Sequence, residues 1–256
     1  MTLREQHPIR SGTSRFLSQG YFVVYRMVLV VYGVSYAVYW PMEQDAEIEK
    51  FFTYWTFNVT TGYFCVATIS AVLCWRSMKQ RETCLIGKTH HDELPRLSQE
   101  APTSPSTSDV TVPPVPRWLR RLHLVLWNIA CLATPVVFTI FWTALYKGGA
   151  LGSVDIHAHG LVAFVMLMDQ GLVADEFLLR HMIFTEVYGS LYFIFNVVWY
   201  YTAPQHDRLI YDILDWNANT VTALVYAFLA MCVLVPLFAL VHRGVYRCVP
   251  IDTCHG

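Results

Sequence analysis

Residues 122–146 read LHLVLWNIACLATPVVFTIFWTALY, twenty-five residues without one Asp, Glu, Lys or Arg. At a rise of 1.5 Å per residue, a helix of that length crosses a hydrocarbon core of about 30 Å. Five other runs have the same character, at approximately 20–40, 53–75, 157–179, 182–203 and 217–242. Together they predict an all-α, polytopic membrane protein: a single domain over 1–256, built as a six-transmembrane-helix bundle. Composition agrees, since 55% of the 256 residues are hydrophobic, only 14% are charged, and the mean hydropathy is +0.37. Those values exclude a disordered chain, an ordinary soluble domain and a nucleic-acid binder with a basic face. Seven cysteines without a CxxC pair support neither a disulfide framework nor a zinc site. No metal and no cofactor is expected.

An even number of spans puts both termini on one side, and the basic residues say which. The N-terminal segment, residues 76–121, Arg180 and the tail hold fourteen Lys and Arg, whereas the opposite loops hold three: Lys50, Lys147 and Arg208. By the positive-inside rule both termini are cytoplasmic. The first run follows a polar segment and carries no small-residue cleavage site, so it reads as a retained signal-anchor helix. Residues 76–121 form the cytoplasmic loop, and its part 95–116, rich in Pro, Ser and Thr, has nothing with which to build a core and is a flexible linker. No inverted repeat of the transporter kind is visible.

Ionisable and hydroxyl groups at membrane depth are costly, so each is a functional candidate. Thr56 and His159 both lie about 5 Å below the outer surface, on different helices that enter from the same side. A histidine that takes the hydroxyl proton turns a threonine into a nucleophile for acyl transfer. Asp155, four residues before His159, lies on nearly the same helical face and could orient the ring. Thr53, Thr60 and Thr61 have an equal claim on sequence alone, and transmembrane threonines commonly bond back to the preceding turn. Arg26, about 9 Å from the inner surface, and Glu186, about 7 Å from it, are expected to form a structural ion pair. Asp169 reads as an interhelical hydrogen-bonding group, and Gln170 falls on the His159 face. A bis-histidine haem would need facing histidines at one depth, but His157 and His159 share one helix, and His123 and His181 lie at the cytoplasmic boundary. The sequon Asn58-Val59-Thr60 lies inside a span, out of reach of glycosylation.

The motif FTYWTFN at 52–58, the stretch HAHGLVAFVMLMD at 157–169 and the segment IYDILDW at 210–216 resemble the rolling stone proteins, multi-pass membrane proteins similar to the androgen-induced and androgen-dependent TFPI-regulating proteins. The resemblance implies six helices with cytoplasmic ends. The androgen-induced branch comprises transmembrane threonine hydrolases of fatty-acid esters of hydroxy fatty acids, with a threonine in a Tyr/Phe-x-Thr-Phe/Leu motif and a histidine in an Asn-His-x-x-His-Thr motif. Tyr54-Trp55-Thr56-Phe57 fits the first motif and implies Thr56 as nucleophile. The second histidine of the other motif lies ten residues before an acidic residue, which implies His159, ten before Asp169. The rest of that motif departs: Ile156 stands at its first histidine, Asp155 at its asparagine and Gly160 at its threonine. His157 could claim the role instead. Asn217-Ala218-Asn219 stands where the rolling stone pattern runs Asn-Pro-Gly.

Two functions follow. One is a membrane lipid hydrolase acting on fatty-acyl esters with Thr56 as nucleophile and His159 as base, its partners being membrane lipids. The other is a non-enzymatic protein of cell adhesion or myoblast fusion, the process with which rolling stone is associated. The membrane is the plasma membrane or the endoplasmic reticulum.

Overall fold

The computed structural model describes residues 12–43, 48–92, 115–173 and 177–248. Every long element among them is a helix, and strand pairing is confined to one antiparallel bridge between Ser14 and Val173. Helix α1 spans Gln19–Glu43, α2 spans Phe52–Asp92, and α3 spans Arg117–Ile140 and continues through a π-helical turn, Phe141–Leu145. Helix α4 is composite: Ser153–Ile156, a π turn His157–Leu161, then Val162–Leu172. Helix α5, Met182–Thr202, is led in by the tight turn Leu179–His181. Helix α6 is also composite: Thr220–Phe228, a π turn Leu229–Leu234, and Val235–Cys248.

These segments are helical because an apolar run in lipid must satisfy its own backbone groups. Helix α1 is apolar on both sides, burying Phe22, Leu29 and Trp40 while exposing Val24, Val28 and Val31, as expected where the outer solvent is hydrocarbon. Five helical stretches are long and apolar enough to cross a membrane among the described residues: Gln19–Met42, Phe52–Gln80, Arg117–Leu145, Leu179–Thr202 and Thr220–Val245. Helix α4 is not among them, because it carries Asp155, His157, His159, Asp169 and Gln170. Helix α3 is the hub, touching α2, α4, α5 and α6. The main core lies around it, with Tyr63, Phe64, Trp127, Leu132 and Met166 all buried.

Three expectations are corrected. Residues 76–92 continue α2 as helix and are not loop; no proline interrupts them. Most of the stretch 95–116, to residue 114, lies outside the described residues. The run expected at 157–179 starts earlier and ends at Leu172, where the chain turns extended and the Leu172 carbonyl accepts the Arg15 N–H (2.8 Å) and the Ser14 hydroxyl (3.1 Å).

The third concerns Arg26, whose carboxylate partner is Asp169 and not Glu186. The two are 2.8 Å apart, with side chains 1% and 0% exposed. The Tyr63 hydroxyl donates to Asp169 Oδ2 at 2.6 Å and the Tyr25 hydroxyl to Oδ1 at 3.2 Å, while Arg26 Nη2 donates to the Tyr63 oxygen at 3.1 Å. Phe22 covers the guanidinium, 4.9 Å from its ring centre. Depth alone allows Glu186, but the buried face of α4 delivers a carboxylate closer to hand. Asp169 is thus the interhelical hydrogen-bonding group that its position suggested.

Breaking this pair from one side strands a buried charge. Arg26→Met should therefore destabilise the purified protein by about 3–5 kcal/mol, and the double change Arg26→Met with Asp169→Leu should recover much of the loss. Glu186→Gln should change little. Unfolding in detergent measures all three, and a destabilised Glu186→Gln together with no recovery in the double change would reverse the assignment.

Candidate active site

At the end of the bundle where α2 begins and α5 ends, the helices separate around a cavity. Its wall is formed by the start of α2, the second half of α3 with its π turn, the π turn of α4, the first half of α5, the segment 210–216 and the middle of α6. The inner chamber spans about 700 Å³ counted to its open mouth and is almost wholly apolar, Val136, Val137, Phe193 and Met231 being typical of its lining. A more open cleft of about 1030 Å³ adjoins it and adds Lys147, Asp155 and Asp212. Thr53, Phe141, His159 and Tyr211 line both spaces.

His159 sits on this shared wall because the π turn of α4 turns it toward α3. Its ring lies flat on Phe141, with centroids 3.6 Å apart and planes within 3°. Its carbonyl accepts the Trp142 indole N–H at 3.3 Å. Its Nδ1 is buried and has no hydrogen-bond partner. A neutral imidazole has one donor and one acceptor nitrogen, so a buried ring nitrogen with no partner retains hydrogen-bonding capacity for another molecule.

Thr56 lies one turn deeper than Thr53. It is buried, its Oγ1 is 3.4 Å from the Tyr188 hydroxyl, and its carbonyl accepts the Thr60 hydroxyl at 2.8 Å. Of the two threonines, Thr53 is the one on the cavity walls. Thr60 makes the back-bond common in such helices, and the Thr61 side chain fills the space beside Gly33, where a Cβ would come within 2.8 Å of its hydroxyl. Asp155 accepts the Gly152 N–H at 3.1 Å and so caps its own helix, while lining the outer cleft. His157 faces α1, its Nδ1 3.1 Å from the Tyr32 hydroxyl and its ring stacked on Tyr36 at 4.8 Å. The structure therefore brings His159, Thr53 and Asp155 to one cleft and places His157 in an aromatic packing site. Among the described residues no group of three or more His, Cys, Asp or Glu is placed to hold a metal.

Sequence reasoning missed Tyr211. Its hydroxyl accepts the Phe52 N–H at 3.0 Å, satisfying a donor at the start of α2, and burial pushes its phenol up, so it stays protonated. The signal was present, since Tyr211 belongs to the segment 210–216 already singled out. That segment is pinned by its far end: the Trp216 indole N–H donates to Asn196 Oδ1 at 2.7 Å. Asp215 accepts the N–H groups of Ala218 (2.9 Å) and Asn217 (3.0 Å) and the Tyr200 hydroxyl (2.8 Å), which hold its carboxyl below the usual range. An ion pair of 2.5 Å between Lys147 and Asp212 ties the loop after α3 to the same segment. Gly148 and Gly149, with φ of 87° and 121°, make the turn that follows Lys147.

No family model matches the chain, and no solved structure does. The chain is 23% identical to Protein rolling stone of Drosophila melanogaster over 232 residues, which are 86% of this chain and 76% of that protein. The stretches at 52–58, 157–169 and 210–216 that carry the resemblance form or flank this one cavity. An alignment over most of both chains, joined to the set of apolar helices, supports a multi-pass integral membrane protein similar to rolling stone.

Proposed function

We propose that this protein is an intramembrane hydrolase of fatty-acyl esters, with His159 as general base and Thr56 as nucleophile. The observation that carries the reading is His159 itself, a buried imidazole with an unpartnered Nδ1 on the wall between an apolar chamber and a polar-mouthed cleft. The chamber suits an acyl chain, and the cleft gives water and a leaving alcohol a way in. In the proposed reaction His159 takes the hydroxyl proton as the threonine oxygen attacks the ester carbonyl, and returns it to the departing alcohol. Water then cleaves the acyl-threonine and restores the hydroxyl. The protonated Tyr211 hydroxyl, on the same wall, is the donor for the oxyanion. Thr53 is the competing nucleophile, because it shares both spaces with His159. Tyr54-Trp55-Thr56-Phe57, which fits the threonine motif of the androgen-induced hydrolases, supports the same chemistry.

The same proposal includes six spans with cytoplasmic ends, α4 crossing among the five more apolar helices. Fourteen basic residues against three support that orientation, which opens the cavity on the non-cytoplasmic side of the plasma membrane or the endoplasmic reticulum. The 3.4 Å contact of Thr56 with Tyr188 favours a second reading, in which Thr56 only joins helices in a non-enzymatic adhesion or fusion protein.

Tags at the N-terminus, within 95–116 and at the C-terminus should all be protected from protease added outside intact cells; exposure of one tag alone would overturn the topology. Purified protein should hydrolyse long-chain acyl esters and be labelled by a fluorophosphonate. Thr56→Ala should abolish labelling, His159→Ala should slow turnover about a hundredfold or more, and His157→Ala should do much less. Loss on Thr53→Ala, with Thr56→Ala active, would move the nucleophile and leave the hydrolase standing. Folded protein that neither turns over nor labels would favour the second reading.

A further inference from the structure

A second cleft lies at the same end of the bundle, outside the chamber, between the first turn of α2 and the last turns of α5. It encloses about 760 Å³ counted to its open mouth and is lined by Glu49, Lys50, Trp55, Phe195 and Trp199. Phe195 and Trp199 are four residues apart on α5 and so share a face. Their ring centres are 5.8 Å apart, and Trp55 of α2 completes the group 5.1 Å from Phe195.

Aromatic side chains collect at membrane interfaces in any case, but these are held in place. The Trp55 indole N–H donates to the Glu49 carbonyl at 2.7 Å, and that of Trp199 to the Asp207 carbonyl at 3.0 Å. The Tyr192 hydroxyl donates to the Lys50 carbonyl at 2.9 Å, fixing the short turn that carries both charged residues. With its N–H engaged, each indole has only its faces to offer a ligand, and Lys50 already lies over one face of Trp199. Lys50 Nζ lies 5.7 Å from the Trp199 ring centre and 3.8 Å from Asp207 Oδ1, its side chain 13% exposed. The cleft thus presents three aromatic rings, a carboxylate and a largely covered ammonium.

Ring faces and a carboxylate suit a quaternary ammonium, which donates no hydrogen bonds and is bound through cation–π attraction. An ammonium on the same rim suits a phosphate. A ligand carrying both charges a few bonds apart matches the pair of them, where a plain cation or anion matches half. We infer that this cleft binds a phosphocholine group. At the ends of two spanning helices it stands at headgroup depth, where a choline phospholipid of the surrounding leaflet presents that group; soluble phosphocholine presents the same chemistry. The site is independent of the proposed hydrolase, sharing none of its catalytic residues.

The test mixes the purified chain in maltoside micelles with equal amounts of phosphatidylcholine, phosphatidylethanolamine and phosphatidylglycerol of identical acyl chains, and reads retained lipid by native mass spectrometry. The choline lipid should be retained about tenfold over the others, the scale of one to two cation–π contacts. Trp199→Leu and Glu49→Gln should each bring that ratio close to one. Trp199→Phe, which keeps a ring face, should preserve most of it, and Lys50→Met should weaken all three lipids alike. Displacement by soluble phosphocholine would support the site with a soluble source, and a choline-lipid preference that resists displacement would support it with the lipid. Equal retention of the three lipids by the unaltered protein, or an unchanged preference in Trp199→Leu protein with normal melting, would overturn the inference.

Discussion

The Arg26–Asp169 pair is the constraint from which the rest of the bundle can be understood. An ion pair with 1% and 0% exposed side chains has no water to fall back on, and in a low-dielectric surround neither charge is tolerable without the other. Its hydrogen bonds come from α1 and α2, through Tyr25 and Tyr63, while the carboxylate comes from α4. Three helices are thereby fixed in depth and rotation at one point. This also accounts for α4, which turns most of its polar residues to its neighbours and leaves Ile156, Phe164, Leu167 and Met168 exposed. Its polar residues meet partners from other helices: His157 meets Tyr32, Gln170 approaches His242 at 3.4 Å, and Asp169 meets Arg26.

Once α4 is fixed in this way, the far end of the bundle has little freedom. His159 is carried to a set height and rests on Phe141, and the space between α3 and α5 that the helices do not fill becomes the chamber. The segment 210–216 closes it from outside, since Ile210, Leu214 and Trp216 are buried while Tyr211 reaches the start of α2. A chain that spends its polar side chains on fixing helices in one half leaves the other half with an apolar room and a few polar groups at its door.

Helix positions were legible because hydropathy and length report directly on transfer into lipid. Five of the six runs reappear as apolar helices of spanning length, within a few residues. What hydropathy does not encode is the azimuth of each helix, and the differences follow from that. Arg26 and Glu186 matched in depth, but depth says nothing of which faces meet, and Asp169 is the group that faces Arg26. Thr53 and Thr56 stand one turn apart, and only the packed bundle distinguishes the one lining the cavity from the one bonded to Tyr188. Tyr211 was hidden for another reason: it acts from a connecting segment, where no periodicity marks an inward-facing residue.

The π turn at His157–Leu161 has a consequence for what this sequence can vary. Such a turn is an α-helix carrying one surplus residue. His159, whose ring borders the chamber, sits inside it, and the carboxylate that anchors the bundle follows ten residues later along the same helix. Losing that residue would turn one end against the other by about 100°, so His159 and Asp169 could not both keep their neighbours. Side chains in this stretch are therefore open to exchange within the limits of packing, whereas their number is not. Residue count here is a dimension of the molecule, as rigid as a bond length, and it sets the phase between the part that holds the helices and the part that meets the ligand.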